Sequence, residues 1–344
     1  MSRRQNATIK EVAEQAGVSQ MTVSRVLNQR SLVKEATRLR VEAAIEALNY
    51  RPNMLARGLA GGKSMLIGLV YYNPSSGYLS ELLVGALKTC RELGHHLMLE
   101  DLSEIEEGTD TSEIAMRLRK IGLDGLILTP PLSANKALIR LMSEAGVRTI
   151  LVSHEDPTGQ FSSVVFDDTA AAHSMTEYLI EHGHKQIGFI TGPAEHPSSL
   201  SRKEGFERAI AEHGLDLDTG MVVEGDFTFR SGMELAEKLL STPHAPTAIF
   251  ASNDDMAAGV IAAAHRRSLK VPGDLSVVGF DDTAISAAIW PQLTTVRQPI
   301  SEIARRAVKM LSENNLKKDA ELVVKADYID TVDIIERESV SDPR

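Results

Sequence analysis

The sequence predicts an all-α head over residues 1–51 joined to a two-lobed, doubly wound α/β body over residues 64–344. Three observations predict it. Apolar residues recur at helical spacing in three short stretches before residue 50. Short apolar runs then alternate with amphipathic helices from Met65 onward. The charge also divides: residues 1–63 carry 11 Lys and Arg against 5 Asp and Glu, a net of +6, while the remainder carries 26 against 42, a net of −16. A basic head on an acidic body gathers attraction for phosphates at one end of the chain.

In the head, Thr8 followed by Glu11 reads as a capping box that starts a helix. Ile9, Val12, Ala13 and Ala16 make its apolar face, Gly17 ends it and Ser19 caps the next. The second helix, roughly Gln20 to Leu27, turns Val23, Val26 and Leu27 inward. Its outward residues, Gln20, Met21, Thr22, Ser24, Arg25 and Asn28, include no carboxylate. A merely solvated face would mix both signs. A third helix, from about Lys34 to Leu48, packs Val41, Ala44, Ile45 and Leu48. Two short helices joined by a glycine turn form a helix-turn-helix, whose second helix is shaped for the major groove of double-stranded DNA.

In the body, strands are expected at 65–71, 96–99, 125–129, 149–153, 163–166, 186–191, 222–225, 248–251, 276–280 and 294–297. Helices are expected at 79–93, 170–182, 201–213 and 254–268, among others. Ten strands make two lobes, and ligands in such folds sit at the carboxyl ends of the strands. The polar residues there are Asn73, His154, Asp167, Asp168, Asn253, Asp254, Asp281 and Asp282. Asp168 and Asp254 directly precede helices and are expected to be N-caps, which leaves Asp167 and Asp281 as the better ligand candidates. Trp290 is expected to be packed.

Other classes fit poorly. No window reaches the roughly 18 apolar residues of a membrane span, and no signal-like stretch follows the first arginines. With one cysteine, Cys90, no disulfide framework forms within the chain, and a cytoplasmic protein is expected. Gly62-Lys63-Ser64 ends like a phosphate loop, but the motif's first glycine would fall on Arg57. Nor is there a Gly-x-Ser-x-Gly elbow or a dinucleotide fingerprint. His182 and His184 are spaced i,i+2 and do not converge on one helical face. Neither an enzyme nor a cofactor or metal site is expected.

The string ATIKEVAEQAGVSQMTVSRVLN at 7–28 resembles the opening of the lactose/galactose-repressor (LacI/GalR) family, and ALNYRPNMLARGLA at 47–60 resembles its hinge. The likeness runs through ERESV at 336–340, essentially the whole chain. It implies a transcriptional repressor that binds a pseudo-palindromic operator as a homodimer. With no leucine heptads after the body, no further association is expected. Gln20 and Met21 would read bases, Arg25 a guanine, and Thr22, Ser24 and Asn28 phosphates. Thr8, Tyr50, Asn53, Ala56 and Arg57 complete the DNA-facing set that the resemblance implies. Lys34 stands where the family often has a capping serine. Residues 52–63 would be a hinge, helical only on DNA, with Leu59 wedging into the minor groove.

The same resemblance implies a body like periplasmic sugar-binding proteins of type I, with an N-lobe of about 64–178 and 298–323 and a C-lobe of about 179–297 and 324–344. VFDD at 165–168, SRKEGF at 201–206, Asp226-Phe227, SND at 252–254 and VGFDD at 278–282 match its effector motifs. They imply an effector site of Asp167, Arg202, Phe227, Asn253 and Asp281, with Tyr78 and His154 as outer candidates. Carboxylates, an arginine fork and an aromatic face suit a neutral or weakly charged mono- or disaccharide acting as an inducer, and a purine or other metabolite acting as corepressor is the alternative.

Overall fold

The head begins with helix α1, Ile9–Ala16, and a complete capping box at its N-terminus. The Thr8 amide donates to Glu11 Oε2 at 2.6 Å and the Glu11 amide to Thr8 Oγ1 at 3.3 Å, so two otherwise orphaned donors are satisfied. These hydrogen bonds hold the exposed Glu11 carboxyl below its usual range. Gly17, at φ 63°, closes α1 in the left-handed conformation that a Cβ would penalise. Ser19 Oγ then accepts from the Thr22 amide at 3.2 Å and starts α2, Gln20–Asn28. Helix α3 spans Glu35–Ala47, and its N-cap, Lys34, makes no side-chain capping bond. Val12, Ala13, Ala16, Val23, Val26, Val41 and Ala44 form the small core.

The structure is a computed structural model that describes residues 8–28, 33–48, 64–72, 75–102, 111–153, 155–156, 159–316 and 325–343. The hinge at 52–63 lies outside these residues, as do Asn73 and His154. Two compact units divide at Ser64 and Met65.

Within the second unit, the first sheet holds β1 (Leu66–Tyr71), β2 (His96–Asp101), β3 (Gly125–Leu128), β4 (Arg148–Val152), β5 (Ser162–Phe166) and β11 (Ala326–Ile329) in the order β11-β5-β4-β3-β1-β2, all parallel. Helices α4 (Ser76–Leu93), α5 (Thr111–Ile121) and α6 (Lys136–Glu144) connect its early strands. The second sheet holds β6 (Ile187–Thr191), β7 (Val222–Glu224), β8 (Ala248–Ala251), β9 (Ser276–Asp281), β10 (Thr294–Arg297) and β12 (Asp333–Ile335) in the order β12-β10-β9-β8-β6-β7. Only β12 is antiparallel in it. Its helices are α7 (Asp168–Glu181), α8 (Pro197–Glu212), α9 (Phe229–Leu239), α10 (Asp254–Arg266) and the short α11 (Ala284–Ala288). Helix α12 (Ile300–Leu316) returns to the first lobe and packs on α4. Both sheets reverse strand order, between β1 and β3 and between β6 and β8, and such switch points open a crevice at the carboxyl ends.

Four features differ from the sequence expectation. Strands β11 and β12 are short edge strands carrying Asp327 and Asp333, so neither shows an apolar run. β11 pairs with β5, so residues 326–329 belong to the first lobe and not to the second. Helix α7, by contrast, packs on α8, so the chain crosses to the second lobe near residue 167, not 178. Trp290 is 74% exposed and packs against little of its own chain. A continuous core joins the lobes, including an edge-to-face contact between Phe166 and Phe280 with centroids 6.2 Å apart. Among the described residues no helix is long and apolar enough to cross a membrane.

Candidate functional site

On α2, Gln20, Met21 and Arg25 are exposed, Met21 at 66%. An apolar side chain held that far into solvent on a short helix has no packing role in the head. The Thr22 hydroxyl lies 3.0 Å from Ser19 Oγ, and Thr8 is occupied in its capping box. The side chains of Ser24 and Asn28, like Tyr50, Asn53, Ala56, Arg57 and Leu59, lie outside the described residues.

In the body, a small cavity sits at both switch points. Ser75 and Tyr78 enter it from the start of α4, Pro130 from beyond β3, and His196, Ser198 and Arg202 from the start of α8. Phe227, Asn253, Asp281 and Gln298 close it from the ends of β7 to β10. Of the residues expected from sequence, Tyr78, Arg202, Phe227, Asn253 and Asp281 therefore meet in one cavity. Asp167 does not join them. It is the exposed N-cap of α7, accepting from the Ala170 amide at 2.8 Å.

The two caps assigned to Asp168 and Asp254 lie one residue earlier, at Asp167 and Asn253, because each helix starts on the second residue of its pair. Asp168 is buried instead and accepts from Arg202 Nε at 2.7 Å. Asp254 is buried and accepts from the Thr283 amide at 2.7 Å and Thr295 Oγ1 at 2.6 Å. Asn253 Oδ1 caps α10 through the Met256 amide at 2.9 Å, while its Nδ2 donates to the Phe227 carbonyl at 3.0 Å. One amide proton and one lone pair of Asn253 are left for other partners.

Arg202 is the electrostatic centre of the site. Besides Asp168 it donates to the Ser252 carbonyl, lies 3.8 Å from Asp281 Oδ1, and stacks 3.6 Å above the Phe280 ring. Burial raises the Asp168 carboxyl above its ordinary range, although the Arg202 charge opposes the rise. Asp281 is pushed well upward by burial, against Arg202 and with the help of Asp254 and Asp168. Burial likewise raises the Tyr78 phenol, and burial together with the Arg202 charge lowers the His196 imidazole to about 3. His196 is thus neutral at neutral pH, its ring edge against Phe227 at 5.0 Å.

Among the described residues, both ring nitrogens of His196, Asp281 Oδ1 and Gln298 Oε1 are buried without a hydrogen-bond partner. Native interiors seldom leave such groups unsatisfied, so their gathering in one cavity wall points to a polar guest. The backbone is strained nearby too: Ser153, Phe227, Asp281 and Asp282, all just beyond or at strand ends, have φ of 54°, 65°, 111° and 56°. Sequence reasoning missed Ser75, Pro130, His196, Ser198 and Gln298. Ser198 could have been found, since it lies one helical turn before Arg202, and Gln298 directly follows a strand. Nothing in the sequence marks His196.

Outside the cavity, His173 spends one nitrogen on Glu177 at 3.1 Å and the other on Glu212 at 2.8 Å. That arrangement ties α7 to α8.

Residues 8–53 match the model of bacterial regulatory proteins of the lacI family, and residues 176–340 match a periplasmic binding protein-like domain. The chain is 37% identical over 311 residues to catabolite control protein A of Priestia megaterium, covering 90% of this chain and 92% of that protein. It is 34% identical over 305 residues to the ribose operon repressor of Escherichia coli K12, covering 89% and 92%. A crystal structure of the Lac repressor dimer bound to operator and the anti-inducer ONPF superposes with a TM-score of 0.83 at 29% identity, covering 98% of this chain and all of that one. The chain therefore belongs to the lacI family of bacterial regulatory proteins and is a DNA-binding transcriptional regulator, not an enzyme.

Proposed function

We propose that the protein is a cytoplasmic homodimeric repressor of a pseudo-palindromic operator, released from DNA by a mono- or disaccharide bound in the cavity. One observation carries the ligand class: His196, Asp281 and Gln298 present polar atoms that lack a hydrogen bond beside the buried Phe227 ring and the Arg202 fork. Vicinal hydroxyls satisfy such acceptors, and the C–H face of a pyranose suits the ring. A phosphate dianion fits worse, because Asp168 already answers the Arg202 charge and Asp281 adds another carboxyl. A relative named for the ribose operon favours the same ligand class.

In the DNA-bound dimer, Arg25 presents two donors to a guanine, Gln20 and Met21 contact neighbouring bases, and Thr22, Ser24 and Asn28 hold phosphates. Thr8, Tyr50, Asn53, Ala56 and Arg57 complete that surface, and Leu59 wedges the minor groove. Coupling between the two sites runs through lobe closure. Ser75 Oγ donates across the cleft to Asp255 Oδ2 at 2.6 Å, and a Cβ on Gly77 would lie 3.0 Å from Thr283. The centre of a water molecule has only about 20 Å3 of the cavity open to it, so these contacts must part before a sugar enters. Closure around different guests then sets the spacing of the two hinges. By linkage, operator changes effector affinity by the same factor that effector changes operator affinity.

Calorimetric titration with a panel of sugars and purines, followed by operator release, tests this. Binding of a sugar by the wild type but not by Arg202→Ala, with release of DNA, is expected. Tight binding of a purine base with no sugar bound overturns the ligand class.

A further inference from the structure

We propose that Arg337, in the C-terminal segment, is a positioning residue of the cavity: it fixes the turn at Asp281–Thr283 and thereby the direction from which the Asp281 carboxyl enters. This rests on the cavity being the effector site.

The turn needs holding. Asp281 at φ 111° and Asp282 at φ 56° are consecutive non-glycine residues in a backbone region that L side chains avoid, so surrounding contacts must over-determine it. The inner side is pinned by Asp254, which accepts from the Thr283 amide at 2.7 Å and its hydroxyl at 3.1 Å. The Gln298 amide adds a bond to the Asp281 carbonyl at 3.3 Å.

The outer side is pinned through Asp282. Its carboxylate accepts from Arg337 Nη2 at 2.6 Å, Arg297 Nε at 2.8 Å and Ser286 Oγ at 3.1 Å. Arg297 is half exposed, and its pair is screened by water. Arg337 is only 15% exposed and spends its fork further, with Nη1 donating to the Leu293 carbonyl at 2.7 Å and to Ser286 Oγ at 3.1 Å. Its own amide donates to Thr294 Oγ1 at 2.9 Å. One planar side chain thus ties the turn to α11 and to the approach to β10. Arg337 does not line the cavity, so it acts on a guest indirectly, through Asp282 and the turn that carries Asp281.

The test reads Asp281 directly and adds no sugar, so it stands apart from the ligand assignment. Full-length protein carries carboxyl-13C aspartate, the Asp281 signal is assigned with Asp281→Asn, and its titration midpoint is followed by NMR. Besides Tyr78, the groups that face Asp281 are Arg202, Asp254, Asp168 and Asp255. In Arg337→Leu, loss of a nearby positive charge alone would move the midpoint up. Loss of positioning frees the carboxyl towards water and moves it down, by about one unit or more towards the ordinary value. Arg337→Lys keeps the charge and loses the fork, so a downward shift there comes from geometry and serves if the leucine variant does not fold. Ser339→Ala loosens the same segment, where Ser339 Oγ bonds the Val277 carbonyl and the Thr294 amide, without touching Asp282. A downward shift in the Arg337 variants with none in Ser339→Ala supports the proposal. An unchanged or raised midpoint, or an equal fall in Ser339→Ala, overturns it.

Discussion

Replacing Arg202 with methionine removes one charge from a buried set of three and keeps most of the volume. In the wild type, Arg202 and Asp168 are only 5% and 4% exposed and meet at 2.7 Å, with Asp281 3.8 Å away. Breaking a buried pair from one side costs about 3–5 kcal/mol, because the remaining charge loses its partner and gains no water. Two carboxyls are stranded here, which places the expected loss at the upper end of that range at pH 8. A body in the upper part of the usual range of about 5–15 kcal/mol stays folded after such a loss.

The loss depends on pH, and its sign follows from the carboxyls. Asp168 and Asp281 have folded-state values above their unfolded ones, chiefly through burial and against the pull of Arg202. A carboxyl raised on folding contributes stability that is fully present below its unfolded value, near 4, and is lost as pH rises through the folded value. Without Arg202 both folded values rise further, so the folded variant holds protons that the wild type releases. The gap between variant and wild type should therefore shrink as pH falls, by up to about 1.4 kcal/mol per pH unit for each proton held. Urea unfolding followed by circular dichroism at pH 8, 7 and 6 measures it. A penalty below about 1 kcal/mol at pH 8, or one that is flat with pH, would refute the view that Arg202 compensates buried carboxyls.

Three further outcomes are expected. Lys34→Ser supplies the capping oxygen that α3 lacks and should protect its first amides by about 1 kcal/mol in hydrogen exchange; unchanged protection would mean that solvent already satisfies them. Gly232→Ala places a Cβ against the Met256 carbonyl where α9 crosses α10, and should cost about 1–3 kcal/mol in thermal unfolding; a neutral result would mean the crossing relaxes. Arg25→Ala changes an exposed side chain, so the fold should persist while discrimination between operator and random DNA falls by about 1–3 kcal/mol per half-site in competition gel shifts. Equal selectivity would remove α2 from base reading.

Much of the architecture was legible because it rests on local chemistry. Thr8, Glu11, Gly17 and Ser19 are punctuation whose physics acts within one turn, and the first two helices start where they say. All ten expected strands exist; most are apolar runs closed by polar or turn residues, while β10, Thr-Thr-Val-Arg, is marked instead by β-branched residues. Strands β11 and β12 failed that rule for a physical reason: an edge strand is wetted on one side and needs no apolar run. The lobe boundaries failed for another. Where a chain crosses between two similar sheets is decided by which helix packs on which, and the residues near the crossing are alike on either side.

The site shows the same limit at the scale of one residue. Asp167-Asp168 and Asn253-Asp254 each offer a polar pair at a helix start. One member has non-helical backbone and turns its side chain back over the first amides; the next begins the helix and points elsewhere. The two roles can be read from sequence, but their order depends on where helical dihedrals begin, and a shift of one residue exchanges cap for ion pair. Asp281-Asp282 escapes this ambiguity, because Asp281 ends its strand and α11 begins only at Ala284. Its positive φ values turn Asp281 into the cavity and Asp282 towards Arg337. His196 has no such local grammar. It lies just ahead of a helix opened by Pro197, offers no capping bond, and gains its meaning only from Phe227 and Arg202 folding over it. Groups that interact within a turn of their own chain declare themselves in sequence, whereas groups that meet only across the cleft were legible where the family resemblance supplied them, as for Tyr78, Arg202, Phe227, Asn253 and Asp281, and not otherwise.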